Sequence, residues 1–275
     1  MGNHQSCPLL KIIEAYSGSI FPIWHSDQDY PTVGLILLGN TGVGKSFLAN
    51  ILLGENTFEH RFSTDSVTNT TEFKSFRASG RRYVVFDVPG LIECDEAAIE
   101  RNKIQIQQAF EQRPNCIVAP VFSNGISGRL RNEDLVAFNA LNNVYHFRPE
   151  SLLFIINDLP TNYSSCYEEE AAVRLNHLLE MKSLKICFIS RIDINSYWKR
   201  KQLRMKLLND FDNRKPSTHR KTGEIVLPLN KIKQLEEEMR KKQDDFEAKR
   251  KELEKQIRWQ KKMEGMREND WCVIL

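Results

Sequence analysis

The sequence predicts an α/β domain, with a mostly parallel sheet lying between helices, followed by a long charged helix. Two observations predict the domain: an apolar strand that runs through a glycine-rich loop into a helix, and a second buried strand that ends in an aspartate. A third observation predicts the helix: the C-terminal segment is rich in opposite charges and poor in glycine and proline. We expect an N-terminal extension at 1–30, the α/β domain at 31–215, a linker at 216–230 and the helical tail at 231–275.

The composition is that of a globular protein in a reducing compartment. Of its 275 residues, 41% are hydrophobic, which is enough to bury a core. The 39 basic and 36 acidic side chains nearly balance, so we expect no nucleic-acid partner, although the basic run WKRKQLRMK could be considered for one. The 6 cysteines form no CxxC pair, and no secretory signal or membrane-spanning apolar run is evident.

The glycine-rich loop fits the phosphate-binding pattern G-x-x-x-x-G-K-[ST]. The apolar run Val33 to Leu38 precedes it, and a helical pattern follows it. In such a loop, backbone N–H groups wrap the phosphates, the lysine reaches the β and γ oxygens, and the serine ligates Mg²⁺. The predicted phosphate-binding residues are Gly39, Asn40, Thr41, Gly42, Val43, Gly44, Lys45, Ser46 and Phe47.

The second strand, in RRYVVFDVPG, predicts a metal-binding carboxylate. Asp87 ends this strand and could hold the Mg²⁺ shell, while the amide of Gly90 could meet the γ-phosphate. The intervening stretch FSTDSVTNTTEF is rich in hydroxyl groups, and Thr68 is the candidate that completes the metal shell. Thr70 and Thr71 are alternatives to it.

The stretches GNTGVGKS, SVTNTT and DVPG resemble the GTPases of immunity-associated proteins, the GIMAP or AIG-type family, which is related to the Toc GTPases. The stretch SGRLRNEDLVAFNAL is similar to a further box of that family, through Gly128, Arg129, Glu133 and Asp134. This resemblance covers residues 31–215. It implies a Ras-like P-loop GTPase domain that binds GTP or GDP with Mg²⁺, with Lys45, Ser46 and Thr68 as catalytic residues and Ser46, Thr68 and Asp87 at the metal.

The same resemblance implies where the guanine base is read. Asp158 in LLFIINDLP matches the base-binding aspartate, whereas the three residues before it do not match the family's Thr-(Lys/Arg)-x-Asp. A carboxylate accepts two hydrogen bonds from guanine and repels the acceptor N1 of adenine. Ser190, in KICFISRID, resembles the residue that meets the base oxygen.

Turnover is expected to be slow. Leu91 follows Gly90, so no glutamine stands where Ras carries the residue that positions the attacking water. The family implies slow hydrolysis or help from a second subunit, and hence a GTP-dependent homodimer. Two other interpretations stay open: a P-loop ATPase or small-molecule kinase, and a nucleotide-binding scaffold without turnover that works through its helical tail.

The tail has half of a coiled-coil seam. Apolar residues recur every seven positions, whereas the complementary heptad positions hold mostly lysine and glutamine. The recurring apolar residues are Ile232, Met239, Phe246 and Leu253. Two interpretations remain open, pairing with another helix and a single solvated helix.

Both ends carry lipidation-like motifs. The terminal CVIL fits C-a-a-X at Cys272, with a frayed apolar terminus as the alternative. MGNHQSC fits the N-myristoylation pattern at Gly2, and Cys7 could take a palmitate. Because one myristoyl chain binds membrane only marginally, a second lipid is physically useful. We therefore expect a protein at the cytosolic face of a membrane.

Overall fold

The computed structural model describes residues 31–58, 71–92, 95–123, 130–227 and 229–271, with the backbone alone at 229–231 and 264–271. Several residues singled out above lie outside these ranges and have no structural outcome: Gly2, Cys7, Thr68, Thr70, Gly128, Arg129 and Cys272.

The described part of the chain alternates strands and helices. The strands are β1 (Thr32–Leu38), β2 (Glu72–Ala78), β3 (Arg81–Asp87), β4 (Asn115–Ser123), β5 (Phe154–Leu159), β6 (Ile186–Ser190) and β7 (Ser217–Thr218). The helices are α1 (Lys45–Leu53), α2 (Glu96–Gln112), α3 (Asn132–Tyr145), α4 (Tyr167–Leu178), α5 (Tyr197–Asp212) and α6 (Leu229–Trp271), with a short 3₁₀ turn at Pro149–Ser151.

The strands form one sheet in the order β2-β3-β1-β4-β5-β6. Neighbouring strands from β3 to β6 are parallel, β2 pairs antiparallel with β3, and β7 pairs antiparallel with the start of β4. The carboxyl ends of β1, β3, β4, β5 and β6 therefore lie at the same edge of the sheet, where ligands bind in open α/β folds. This arrangement confirms the predicted fold class.

Both faces of the sheet are covered by helices, which explains why the central strands are continuously apolar. Along β1 the side chains alternate: Leu35 and Leu37 join a buried cluster with α1 and α5, whereas Ile36 and Leu38 join a second cluster with α2, α3, α4 and α6. Period-two alternation of this kind is the geometry of a strand buried on both faces. The core therefore fixes the carboxyl ends of the central strands at one edge of the sheet.

The charged tail forms the predicted long helix, but the domain covers its first half. Ile232 and Met239 are buried in the core cluster, and α6 packs against α3 and α4. Gln243 is also buried, and its Nε2 donates to Asn132 Oδ1 at 2.8 Å. The sequence left open pairing with another helix and a single solvated helix. The structure shows a third arrangement, in which the apolar stripe of α6 packs on the domain itself.

Ion pairs continue this docking as far as Arg250. Arg174 pairs with Glu247, Lys242 Nζ lies 2.8 Å from Glu180 Oε1, and Arg250 Nη1 lies 2.7 Å from Glu170 Oε2. Past that point the apolar residues of α6 whose side chains are described, up to residue 263, are exposed, namely Leu253, Ile257, Trp259 and Met263.

The segment 216–230, expected to be a linker, contributes to the domain. It supplies β7 and the buried side chains Ile225 and Leu227, and α6 begins at Leu229. Among the described helices, none is both long and apolar enough to cross a membrane.

Candidate nucleotide-binding site

The predicted phosphate loop connects β1 to α1 and encloses the lysine ammonium. Lys45 Nζ donates to Gly39 O at 2.9 Å and to Asn40 O at 3.0 Å, and the residue is only 7% exposed. A buried cation surrounded by loop backbone is positioned to meet an anionic oxygen that enters the loop. Because α1 starts at this lysine, its N-terminal N–H groups add positive potential at the same place.

Gly44 is required where the loop turns into the helix. Its φ is 96°, and a Cβ at this position would lie 2.3 Å from Asn157 Nδ2. The same Asn157 amide donates to Val43 O at 3.0 Å, and Asn157 is buried. The end of β5 is thus tied directly to the phosphate loop.

The other members of the predicted loop set divide into two kinds. Val43 is buried in the core and Phe47 packs against it, so these two can offer a ligand only their backbone. Thr41 and Ser46 are half-buried and Gly42 is exposed, so these three line the accessible side of the loop. The loop could therefore offer a ligand mainly its backbone groups, with the Ser46 hydroxyl as an additional oxygen.

Asp87 lies at the same edge as the loop. It is the parallel partner of Leu37, two residues before Gly39, and it is buried at the end of β3. A carboxylate and the Ser46 hydroxyl are hard oxygen ligands of the kind Mg²⁺ prefers, and Mg²⁺ takes its remaining ligands from water and substrate phosphates. The donor set at this edge therefore fits a magnesium ion.

Gly90 rests directly on the phosphate loop. A Cβ there would lie 2.5 Å from Thr41 N and 2.7 Å from Thr41 Oγ1, so only glycine permits this approach. Asn102 of α2 fixes it from the other side, since its Nδ2 donates to Gly90 O at 2.6 Å. Leu91, the next residue, is buried at 2% exposure in the core cluster, so its apolar side chain offers no polar group to a ligand in the loop.

The stretch SGRLRNEDLVAFNAL, which resembles a box of the family, contacts the phosphate loop through a buried hydrogen bond. Asn40 Nδ2 donates to Asp134 Oδ1 at 3.0 Å, and Asn40 Oδ1 accepts from Ile92 N at 3.1 Å. Both Asn40 and Asp134 are buried, and burial raises the pKa of Asp134 to about 6. Glu133, the other described member of the box, pairs with Arg131. One buried amide thus joins the loop, the segment after Gly90 and α3.

The predicted base-reading residue lies at the carboxyl end of β5. Asp158 has a φ of 61°, and its carboxylate receives both Nε and Nη2 of Arg191, each at 2.7 Å. Ser190 ends β6 and is the partner of Leu159 on β5. Asp158, Ser190 and Arg191 therefore lie together at the edge of the sheet that also carries the phosphate loop.

Three contributors were missed by the motif analysis. Asn157 appeared only as a mismatch to the family pattern, yet its amide holds the phosphate loop. Asn102 belongs to none of the sequence motifs, and Arg191 lies in KICFISRID, where only Ser190 was given a role. For Asn157 the available signal was a polar residue directly after an apolar run, where it must find a hydrogen-bond partner. The contacts of Asn102 and Arg191 join elements that are distant in sequence, so no local pattern indicates them.

Comparisons with known proteins agree with this geometry. A family model described as the AIG1 family matches residues 33–209. GTPase IMAP family member 8 of Mus musculus is 37% identical over 73 residues, which are 26% of this chain and 11% of that protein. Immune-associated nucleotide-binding protein 1 of Arabidopsis thaliana is 28% identical over 121 residues, 44% of this chain and 53% of that protein. The matches therefore span from about a tenth to about half of these relatives.

Two solved structures are similar at lower identity. Toc33 from Arabidopsis thaliana in complex with GDP and Mg²⁺ aligns with a TM-score of 0.44 and 16% identity, over 76% of this chain and 92% of that chain. Era in complex with MgGDPNP and nucleotides of 16S ribosomal RNA aligns with a TM-score of 0.49 and 16% identity, over 72% of this chain and 60% of that chain.

Proposed function

The chain belongs to the AIG1 family, the family its motifs resemble, and we propose that it works as a GTP-binding switch that uses Mg²⁺. The observation that carries this proposal is the enclosed ammonium of Lys45 within a glycine loop, with Asp87 at the same sheet edge. A cation, a helix N-terminus and a buried carboxylate together suit a nucleoside triphosphate and its metal. Bound Mg²⁺ would supply charge neutralisation at the phosphate oxygens.

Each residue of the site then has a defined task. Lys45 turns its ammonium from the loop carbonyls to the β and γ oxygens, and Ser46 and Asp87 hold the metal shell directly or through water. Gly90, which lies against Thr41, offers its amide to the γ-phosphate. Thr68, outside the described residues, is the proposed threonine that completes the metal shell.

Guanine selectivity is assigned to Asp158 with help from Ser190. A carboxylate accepts from the N1–H and the amino group of guanine, whereas adenine presents an acceptor at N1 that the carboxylate repels. Asp158 stands at the same edge as Lys45 because β1, β4 and β5 are parallel, and Asn157 ties the end of β5 to the loop. The alternative of a P-loop ATPase or small-molecule kinase requires Asp158 to be without a role in base recognition.

Hydrolysis is proposed to be slow and assisted by a second copy. The buried side chain of Leu91 cannot orient a water, so a water-positioning group must come from elsewhere. Light scattering with GDP and with a non-hydrolysable GTP analogue, at tens of micromolar protein, tests this. We expect a dimer with the analogue, and a monomer in both states would contradict the proposal.

A second candidate function is a nucleotide-binding scaffold without turnover. The same buried Leu91 favours it, together with a tail helix that is docked on the domain through Met239 and Gln243. Single-turnover assays decide between the two functions: detectable conversion of bound GTP supports the switch, and its absence in both monomer and dimer supports the scaffold.

Membrane attachment is proposed to depend on lipids at Gly2, Cys7 and Cys272, which places the protein at the cytosolic face of a membrane. Two chains are needed for stable anchoring, because each buried CH₂ contributes only about 0.8 kcal/mol. Gly2→Ala, Cys7→Ser and Cys272→Ser should each move protein from the membrane to the soluble fraction. If the intact mass of a variant differs from that of the unmodified protein by the substitution alone, with no lipid mass lost, that residue is removed from the proposal.

Lys45→Ala provides the central test. Losing the charge-assisted hydrogen bonds of the ammonium should lower GTP affinity by about 100-fold. The matched control is Lys255→Ala, an exposed lysine of α6, which should bind GTP like the unmodified protein. Circular dichroism checks that both variants stay folded. Unchanged GTP binding in folded Lys45→Ala would refute the assignment of the loop.

A further inference from the structure

The carboxylate proposed to read guanine already holds a partner within the chain. Arg191 Nε donates to Asp158 Oδ1 and Arg191 Nη2 donates to Asp158 Oδ2, both at 2.7 Å. Two parallel N–H donors therefore meet the two oxygens of one carboxylate, which is the bidentate geometry that arginine favours. Each oxygen of Asp158 accepts from a different nitrogen of Arg191.

This fork has the same donor pattern as guanine. The N1–H and the amino group of guanine are two adjacent, nearly parallel N–H donors, and they would approach the same two carboxylate oxygens. Adenine cannot make this approach, because its N1 is an acceptor. The guanidinium of Arg191 is thus a chemical equivalent of the edge of guanine that Asp158 would recognise.

We propose that Arg191 is an internal competitor of guanine, and that it sets both the affinity for guanine nucleotides and the discrimination against adenine. This inference rests on the proposed function, since it requires Asp158 to read the base. In the nucleotide-free protein Arg191 occupies the carboxylate, and an incoming guanine displaces it. An incoming adenine does not compensate for the lost ion pair, so Arg191 remains in place.

The positions of both residues permit such an exchange. Arg191 follows directly on β6, and its backbone N donates to Leu159 O at 2.7 Å, so the main chain is anchored while the side chain is 71% exposed. Asp158 has a left-handed backbone conformation near the end of β5, and its side chain is 47% exposed. The pair lies at the surface, where a guanidinium can swing into solvent or stack on the base that replaced it.

The size of the effect follows from this exposure. Exposed ion pairs stabilise weakly, so their competition should reduce guanine affinity by about 2- to 5-fold. Because solvent-exposed charges are screened by salt, the reduction should shrink toward 1 M ionic strength. A buried pair would show neither the small size nor the salt dependence.

The test measures binding of fluorescent GDP and ADP to the full chain with Arg191→Ala, Arg191→Lys, Asp158→Ala and the double variant. Arg191→Ala should bind GDP about 2- to 5-fold more tightly at low salt, with ADP binding no tighter. Arg191→Lys should lie between, because an ammonium cannot form the two-pronged contact. In the Asp158→Ala background, removing Arg191 should change nothing. Arg258→Ala, which loses an exposed pair with Glu254 on α6, is the matched control.

The possible failures can be told apart. If folded Lys45→Ala binds GDP like the unmodified protein, the proposed function itself fails. If Lys45→Ala loses binding but Arg191→Ala binds GDP equally or more weakly than the unmodified protein, only the internal competition fails. An equal gain for GDP and ADP, or a gain that persists in the Asp158→Ala background, would also overturn it, because either result shows that Arg191 does not act through Asp158.

Discussion

The phosphate half and the base half of the candidate site are built from different materials. Around Lys45 the loop works through glycines and backbone groups, and its shape is maintained by close approaches at Gly44 and Gly90. Around Asp158 the site consists of side chains, and one arginine already occupies the carboxylate. A site made of backbone is specified by a short motif, whereas a site made of side chains changes with each single residue.

The largest effect should come from breaking the phosphate half at Gly44. An alanine there combines a strained φ of 96° with a contact of 2.3 Å to Asn157 Nδ2, so the bond from Asn157 to Val43 must break. We expect Gly44→Ala to lower the free energy of unfolding by about 4 kcal/mol. Urea unfolding measures it.

Gly42 provides the matched control for that variant. Its φ of 82° is equally left-handed, but a Cβ there meets nothing within 4 Å. Gly42→Ala should therefore cost only the backbone strain, about 1 kcal/mol. Equal losses in the two variants would mean that the contact with Asn157 contributes nothing.

A second effect comes from the buried support of the phosphate half, Asp134. Burial raises its pKa from the ordinary 3.8 to about 6, so the folded protein binds a proton more tightly than the unfolded chain. Its contribution to the free energy of unfolding should therefore rise, by up to about 3 kcal/mol, as the pH falls from 7 to 4. The asparagine of Asp134→Asn cannot titrate. The free energy of unfolding of the unmodified protein should therefore increase relative to that of the variant as the pH falls from 7 to 4.

Subtracting the free energy of unfolding of Asp134→Asn from that of the unmodified protein, at each pH, isolates Asp134 from other titrating groups. His219 is buried, its pKa is lowered to about 4 by desolvation, and it makes folding less favourable as the pH falls below 6.5. This opposite contribution is present in both proteins and cancels in the difference. Urea unfolding at half-unit pH intervals measures the shift, and a difference that stays constant with pH would show that Asp134 is ionised normally.

The smallest effect tests Asn157, a residue that joins the two halves. Asn157→Ala leaves Val43 O without its donor and should cost about 2 kcal/mol of stability. It should also weaken GDP binding more than it weakens the binding of inorganic triphosphate, because base and phosphate recognition would no longer be held in register. Isothermal titration with both ligands measures this.

Asn176→Ala is the matched control for that variant. Its Oδ1 accepts from Leu184 N at 3.1 Å, far along the chain from the loop, so it should lose stability without any preference between the two ligands. If the two asparagine variants affect GDP binding alike, Asn157 has only a structural role.

The sequence predicted the sheet and the phosphate loop because both depend on local patterns. The apolar run before Gly39 and the Lys45-Ser46 pair specify strand, loop and helix within some fifteen residues. Asp87 at a strand end was equally readable. The family resemblance was therefore carried mainly by residues whose function depends on backbone geometry.

Contacts between distant segments were not predictable in the same way. The occupation of Asp158 by Arg191 joins two strand ends 33 residues apart, and the bond from Asn40 to Asp134 spans 94. The tail shows the same limit, since its half-apolar seam identified a helix but not the surface that covers Met239. In each case the partner is chosen by the tertiary fold rather than by spacing.

The helix α6 has the dimensions of a lever arm. Its 43 residues correspond to about 65 Å, and the part beyond Arg250 to about 30 Å. The docked half rests on α3, whose Asp134 is bonded to Asn40 of the phosphate loop. A tilt of about 10° near Arg250 would carry the far end of a straight helix through about 5 Å, so a small change in the angle between α6 and the domain would be enlarged at the far end of the helix.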